Sequence, residues 1–549
     1  MRLWYKNAII YELDVETFQD SNGDGVGDFA GLTDRLEYLT SLGINCIWLN
    51  PFYPTPNRDN GYDISDYYSV DPRLGTLGDF VDFTYAANDY GIRVIIDLVI
   101  NHTSIDHPWF QKARQGKDSK YHDYYLWEDE MPEDPAGVVF PGPQESTWTY
   151  DEQAGQYYFH RFYKHQPDLN IGNKDVQEEI RKIMGFWLKL GISGFRVDAI
   201  PFVIEQDQFD KVAFDNKYDY IRNLRQFLSW RQGDSVLLAE ANVKMDLVDE
   251  YFGDGDKMHM LFNFMGNQHL FAALAKEEAT PLIEGIKKIP EIPEMGQWAN
   301  FLRNHDELDL GRLDDKTQKF VFDKFAPEET MRIYNRGIRR RLAPMLSNNR
   351  HQLELAHSLI FTLPGTPIIR YGEEIGMGDD MSLPERNSVR TPMQWSSEDN
   401  GGFSNAPADD LVRKVIDDGE YGYEKVNVVE QQRHEDSLLS WMKKAISVRR
   451  QCPEFGAGEF ELIETDDAHT LAHRCTWDGQ TLIAIHNFAN KKASVTLDFG
   501  SPDDGVVDLL GDQEYVPVDN DGEHEVKLEP YGYRWFRVRK DGRVNTENK

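Results

Sequence analysis

The chain has 549 residues, 40% hydrophobic and 12% aromatic, which excludes a disordered, collagenous or coiled-coil protein and leaves room for one large domain with one or two smaller ones. Lys and Arg number 59 against 94 Asp and Glu, a net charge of −35, so nucleic acid and anionic membrane surfaces are poor partners. Cys46, Cys452 and Cys475 lie far apart with no C-x-x-C pair, which excludes a disulfide framework and a zinc cluster and suits a reducing compartment.

From Met1 the chain runs into a strand-like segment with no cleavable apolar leader, and no stretch of about twenty apolar residues follows. The expectation is a soluble, cytoplasmic protein without a membrane partner. Its acidity suits a high-salt cytoplasm as well as an ordinary acidic enzyme. The run Arg339, Arg340, Arg341 beside Leu342 and Pro344 is read as a helix face. The sequence leaves the oligomeric state open, a homo-oligomer included.

In chain order, short β-branched runs alternate with longer stretches of helical period. Strands are expected at Ala8 to Leu13, Ile44 to Leu49, Val94 to Val99, Gly194 to Val197, Val236 to Ala239, Met260 to Phe264, Asn300 to Arg303 and Thr366 to Arg370. Helices are expected at Leu32 to Leu42, Leu77 to Tyr90, Val176 to Leu190 and Tyr218 to Trp230. Eight strands with helical stretches between them predict an α/β fold, a (β/α)8 TIM barrel. Residues 101–172 are too long for a simple crossover and predict an inserted subdomain after the third strand. After the helical run Ser437 to Arg450, alternating short strands between Asp- and Gly-rich turns predict a C-terminal all-β sandwich. The division is therefore 1–100 and 173–452 for the barrel, 101–172 for the insertion and 453–549 for the β-domain.

Barrel enzymes gather reactive groups at the carboxyl ends of their strands. Asp97, Asn101 and His102 follow the third strand, Arg196 and Asp198 the fourth, Glu240 the fifth, and His305 and Asp306 the seventh. Any one of these taken alone commonly caps a strand or helix; the set, arranged strand by strand around one mouth, points to chemistry. Carboxylates crowded together raise at least one pKa, which suits one ionised nucleophile and one protonated acid. Retaining glycoside transfer needs that pair. Arg196, on the same strand face as Asp198, holds it ionised by charge pairing, while His102 and His305 are placed to bond sugar hydroxyls. Separately, Asp20, Asn22, Asp24 and Asp28 alternate as in an EF-hand loop, with Gly25 at the sixth position and the Val26 carbonyl available. Gly31 stands where the last ligand, Glu, belongs, so both calcium and a metal-free Asx turn remain readings. The interleaved Asp residues argue against phosphate.

Asp97-Leu-Val-Ile-Asn101-His102, Gly194-Phe-Arg196-Val-Asp198, Glu240-Ala-Asn and Asn304-His305-Asp306 resemble, in order and spacing, the four signature blocks of the α-amylase family, glycoside hydrolase family 13. Asn60-Gly-Tyr-Asp63, Gln166-Pro-Asp168-Leu-Asn170, Tyr251-Phe-Gly-Asp-Gly-Asp256, Gly337-Ile-Arg-Arg-Arg-Leu-Ala-Pro344 and Val389-Arg390-Thr-Pro-Met-Gln-Trp395 are similar to its trehalose synthase (maltose α-D-glucosyltransferase) branch. The resemblance covers the chain from about residue 4 to the β-domain. It implies Asp198 as nucleophile, Glu240 as general acid/base and Asp306 as transition-state stabiliser. It implies Tyr62 stacked on the glucose ring and Asp63 paired with Arg390 to close an exo-acting pocket, with Phe159 and Trp148 as weaker candidates for its walls. It supports structural calcium in the loop at Asp20, and a second site made by Asn101 and Asp168 with the Phe202 and Val203 carbonyls and Glu205. No organic cofactor is implied.

The implied reaction interconverts maltose and trehalose, with Tyr251 a plausible lid residue, since isomerisation demands exclusion of water. An α-glucosidase or transglucosidase acting on short α-glucosides is the alternative, because Arg370, Glu373 and the stretch Ser382 to Ser388 depart from the branch pattern near Arg390. A non-catalytic protein of this fold is disfavoured by the intact carboxylates.

Overall fold

The computed structural model describes residues 3–132, 137–206, 214–499, 505–511, 515–517 and 522–539. Eight parallel strands close into a barrel: Ile10–Leu13, Cys46–Leu49, Arg93–Leu98, Gly194–Val197, Val236–Ala239, Met260–Phe262, Gln297–Phe301 and Thr366–Arg370. Ile10 lies opposite both Cys46 and Ile368, which joins first strand to last. Alternate residues fill the interior: Ile10, Trp48, Ile95, Leu238, Met260, Phe301 and Ile368 form one buried cluster, as the two-residue period of a strand dictates. The other faces pack on helices, among them Leu77–Asp89, opened by a Thr76/Asp79 capping box, and Lys174–Lys189, capped by Asn173. In the fourth strand, Gly194 has φ 153°, and a Cβ there would lie 2.3 Å from the Val236 carbonyl oxygen, so the residue must be glycine.

Three expectations are corrected in detail. The helix expected at Leu32 to Leu42 is two, Phe29–Asp34 and Leu36–Leu42. The break at Arg35 lets its guanidinium lie 4.2 Å over the Trp395 ring and bond Gln19 Oε1. The seventh strand begins three residues before the expected start, at Gln297. Its polar side chains hid it, yet Gln297 Nε2 donates to the Gly456 carbonyl at 2.8 Å, and Asn300 Oδ1 accepts from Asn263 at 3.0 Å. Arg339, Arg340 and Arg341 do not form a helix face. They precede the short helix Leu342–Met345, where Arg340 pairs with Asp379 at 3.3 Å and buried Arg341 with Glu373 at 3.3 Å.

Within the insertion, Trp127–Glu128, Gln156–Phe159 and Trp148–Asp151 form an antiparallel sheet. Past the helix Leu438–Arg450 and the short helix Glu454–Ala457, the described residues form a six-stranded sheet containing Thr470–Trp477, Gln480–Asn487 and Tyr533–Arg539, and a pair, Ala493–Asp498 with Glu523–Leu528. Ile483, Ile485, Val495, Leu497 and Val526 share its buried core. Among the described residues no helix is long and apolar enough to cross a membrane.

Candidate active site

The fourth strand carries Arg196 into the barrel mouth at 1% exposure. Its Nη1 lies 2.8 Å from Asp97 Oδ1 and bonds Asp198 Oδ1 as well, and its Nη2 lies 2.8 Å from Glu240 Oε2. One planar guanidinium thus serves three carboxylates, a geometry a lysine cannot reproduce. Directly after Asp198, Ala199 is held in left-handed backbone at φ 46°, and its N–H donates to Glu240 Oε2 at 3.0 Å. A non-glycine residue in that conformation is strained, and strain of this kind gathers where backbone position matters.

Asp198, Glu240 and Asp306 titrate differently for identifiable reasons. Burial pushes Asp198 up to about 6 against the pull of Arg196. Burial likewise pushes Glu240 up to about 7, opposed by Arg196 and reinforced by Asp198 and Asp306. Burial acts on Asp306 too, but His305, Arg386 and Arg390 outweigh it and hold that carboxyl well below the usual range. The contacts are His305 Nε2 to Oδ2 at 3.2 Å, and Arg386 Nη1 and Arg390 Nη2 to Oδ1 at 2.8 and 3.2 Å. Near neutral pH the site therefore offers one carboxylate firmly ionised, one ionised beside an arginine, and one still able to carry a proton.

His305 is gripped on both sides. Its Nδ1 lies 2.6 Å from Glu12 Oε1 and its Nε2 2.7 Å from the Tyr62 hydroxyl. Burial alone would lower its pKa, yet Asp306 and Glu12 raise it to about 9, so the ring is an imidazolium. Glu12, fully buried, is itself paired with Arg370 at 3.1 Å. Tyr62 stacks on His305 at 5.3 Å and 13° and donates to Asp97 Oδ2 at 3.0 Å. His102 lines the cavity with its Nε2 3.1 Å from the Tyr62 carbonyl, and burial pushes its pKa down to about 4, leaving it neutral.

These groups face one cavity of about 640 Å³, large enough for a disaccharide. It is lined by Tyr62, His102, Asp198, Glu240, His305 and Asp306. Its aromatic walls are Phe140, Phe162 and Phe202, where Phe159 and Trp148 had been weaker candidates. Those two pack on each other at 5.2 Å and do not line the cavity. Asp63 does not pair with Arg390. It is buried against Thr55 Oγ1 and the Asp59 N–H, while Arg390 donates to the His305 carbonyl at 2.8 Å. The ion pair beside the site is Asp59 with Arg386, at 2.8 Å. Tyr251 is no lid: it is fully buried and packs edge-on against Tyr218. Glu12, Asp59, Ala199 and Arg386 have no site role in the sequence reading. The signal for Asp59 and Arg386 was their position beside Asn60 and within the divergent stretch before Arg390. For Glu12 it was a carboxylate inside a strand that is otherwise apolar.

For metals, the two expected sites differ. In the loop from Asp20 to Asp28 the side chains are already engaged: Asp20 accepts the N–H groups of Asn22, Gly23 and Gly25. Asn22 accepts from Asp24, Asp24 from Val26, and Asp28 from Ser21 and Gly31. Among the described residues no three His, Cys, Asp or Glu side chains are gathered around a point that would suit a metal. At the insertion, by contrast, Asn101 Oδ1 and Asp168 Oδ2 are buried without a hydrogen-bond partner. Burial pushes Asp168 up to about 7, opposed by the Arg161 N–H that its other oxygen accepts at 2.9 Å. Two orphaned buried oxygens fit a hard cation. Phe202 and Val203 sit on the adjoining helix Ile200–Ile204, and Glu205 follows it.

The pattern of the family described as alpha amylase, catalytic domain, matches residues 13–458, and that of the sucrose hydrolase-like C-terminal domain matches 479–537. The chain is 43% identical over 543 residues to a trehalose synthase of Thermus thermophilus, covering 98% of this chain and 56% of that protein. It is 42% identical to a trehalose synthase/amylase of Mycobacterium tuberculosis, covering 97% of this chain and 90% of the relative. Among solved structures, an α-amylase from H. orenii superposes with a TM-score of 0.79 at 28% identity, covering 97% of this chain and 99% of that one.

Proposed function

The chain belongs to the α-amylase family, and from that membership and the site of Asp198, Glu240 and Asp306 we propose that it interconverts maltose and trehalose by retaining, intramolecular transglucosylation, with minor hydrolysis to glucose. Asp198 attacks the anomeric carbon of the terminal glucose while Glu240 gives its proton to the glycosidic oxygen. The C1–O bond breaks, a glucosyl ester forms on Asp198, and free glucose remains in the cavity. That glucose turns, its anomeric hydroxyl surrenders a proton to Glu240, and its O1 attacks the anomeric carbon of the glucosyl ester, breaking the C1–O bond to Asp198 and forming trehalose. Asp306, kept anionic by its three cationic neighbours, stabilises the positive charge that develops on the sugar ring. Tyr62 and His102 support that ring, and the Asp59–Arg386 pair limits the pocket to one terminal unit.

The observation that carries this reading is the single Arg196 guanidinium shared by Asp198 and Glu240, whose pKa values of about 6 and about 7 stand in the order that nucleophile and acid require. The relatives named trehalose synthase support glucose over water as acceptor. Calcium at Asn101 and Asp168, with the Phe202 and Val203 carbonyls and Glu205, would tie the insertion to the barrel; in the loop of Asp20, Asn22, Asp24, Val26 and Asp28 it would brace a turn already held by its own hydrogen bonds. In both places its role is structural, and no step of the chemistry passes through it. Three buried thiols without disulfide partners support a cytoplasmic setting. Proton NMR of the protein with maltose tests the reading: trehalose accumulating with little free glucose is expected, and glucose as the dominant product from the start would make it an α-glucosidase.

A further inference from the structure

Three loops from distant parts of the chain meet beside the cavity, whose lining includes Phe140, Arg336 and Arg386. Phe140 of the insertion lies between Tyr163, 4.9 Å away at 29°, and Tyr334, 4.7 Å away at 36°. The Tyr163 hydroxyl donates to Glu385 Oε2 at 2.7 Å; the Tyr334 hydroxyl lies 3.2 Å from that of Tyr163 and 3.4 Å from the same carboxylate oxygen. Tyr334 occupies the turn between the antiparallel strands Arg332–Ile333 and Gly337–Ile338. It and Glu385 both have left-handed backbone, φ 54° and 45°, a strained state for side chains of this size that persists only where the surroundings enforce it. Arg336 fastens the same turn to the insertion by donating to the Val139 carbonyl at 2.7 Å.

The residue after Glu385 turns the other way. Arg386 lies 5.1 Å over the Phe140 ring and reaches inward to Asp59 and Asp306, each at 2.8 Å. Two consecutive residues thus connect the cover of the cavity to the carboxylate that faces the reacting sugar.

We infer that Tyr163, Tyr334 and Glu385 form a latch that sets how the glucosyl group is partitioned between the retained glucose and water. This inference rests on the isomerase reading. Closed, the latch keeps the freed glucose beside the Asp198 ester long enough to turn and attack through O1, with its proton passing to Glu240. Open, glucose departs and water takes its place, so the same ester bond breaks to give a second glucose. Because Arg386 follows Glu385 directly, opening also draws on the Asp306 contact and slows turnover.

The test is the glucose-to-trehalose ratio formed from maltose, followed by proton NMR together with the melting temperature. In Tyr163→Phe/Tyr334→Phe, which keeps the rings on Phe140 and removes both hydroxyls, the ratio should rise about tenfold, the scale of losing hydrogen bonds to a charged acceptor. Glu385→Gln, which keeps the shape and removes the charge, should raise it in the same direction and carries the test if the double variant does not fold. A ratio unchanged in the folded variants overturns the latch even where wild-type protein makes trehalose. If the wild type forms glucose alone, the isomerase reading has failed, and the variants are then assayed with p-nitrophenyl α-glucoside plus added glucose. A fall in transfer to glucose relative to water still supports the latch, and an unchanged ratio overturns it.

Discussion

The floor of the cavity and its cover are built from different parts of the chain. Asp97, Arg196, Asp198, Glu240, His305 and Asp306 all stand in a barrel strand or within five residues of its carboxyl end. They are locked together by one buried guanidinium and one buried imidazolium. The cover takes Phe140, Phe162 and Tyr163 from the insertion, Tyr334 and Arg336 from a hairpin turn, and Glu385 and Arg386 from a loop after the eighth strand. Its contacts are aromatic faces and a few hydroxyl and guanidinium bonds. The difference separates two tasks: the floor fixes the bond that is broken, and the cover decides what receives the sugar.

The largest effect expected on the floor is from Asp198→Asn or Glu240→Gln. Each should fold as the parent does and lose about 10⁴-fold or more in kcat, because removing a group that forms or protonates the reacting bond leaves only binding and electrostatics. Steady-state rates on maltose read this directly, and a variant keeping most of its activity would break the assignment. Asp59→Asn addresses the join between floor and cover. It leaves Arg386 with Asp306 alone and should weaken kcat/KM about 10- to 100-fold, as a truncated buried charge pair does, with most of the loss in KM. A loss confined to kcat would move Asp59 from the pocket's edge to the chemistry.

The pH dependence follows from the carboxylates. Activity should fall on the acid side as Asp198, near 6, takes a proton, and on the alkaline side as Glu240, near 7, loses one. The profile is then a narrow bell centred between those values, and a plateau extending to pH 9 would contradict it. Glu12→Gln sharpens the same point through stability. His305 is raised to about 9 from an ordinary value near 6.5, so its charge pairing contributes in full below about 6.5 and is lost as pH rises towards 9. Removing the Glu12 charge should flatten the decline of Tm across that window. The smallest effect concerns Asn101 and Asp168, which join insertion to barrel: chelation should lower Tm by a few degrees and calcium should restore it, with no change in the position of the pH maximum.

The floor was legible in the sequence because strand ends repeat a simple rule. A short strand such as Gly194 to Val197 fixes which neighbouring polar residue faces the mouth, so Asp198 and Glu240 could be named from spacing and then matched to family blocks. The cover followed no such rule. Asp63 was named from the family resemblance, and Asp59 flanks the same Asn-Gly-Tyr segment; only the fold shows that Asp63 turns into Thr55 while Asp59 meets Arg386. Tyr251 was named for a branch-like motif, yet its ring is core. Tyr163, Tyr334 and Glu385 are separated by 171 and 51 residues, and no local pattern announces that they touch. Glu12 was hidden for the opposite reason: it lies inside a strand whose apolar neighbours mask a charge buried only because Arg370 and His305 meet it.

The central claim, that the sugar is passed within a closed cavity, is tested most directly by incubating the protein with unlabelled maltose and an excess of ¹³C-labelled free glucose and reading the trehalose by NMR. The account predicts early trehalose almost free of label, because the accepting glucose never leaves. Trehalose labelled in proportion to the external glucose would show that the cavity opens between the two half-reactions and would contradict it.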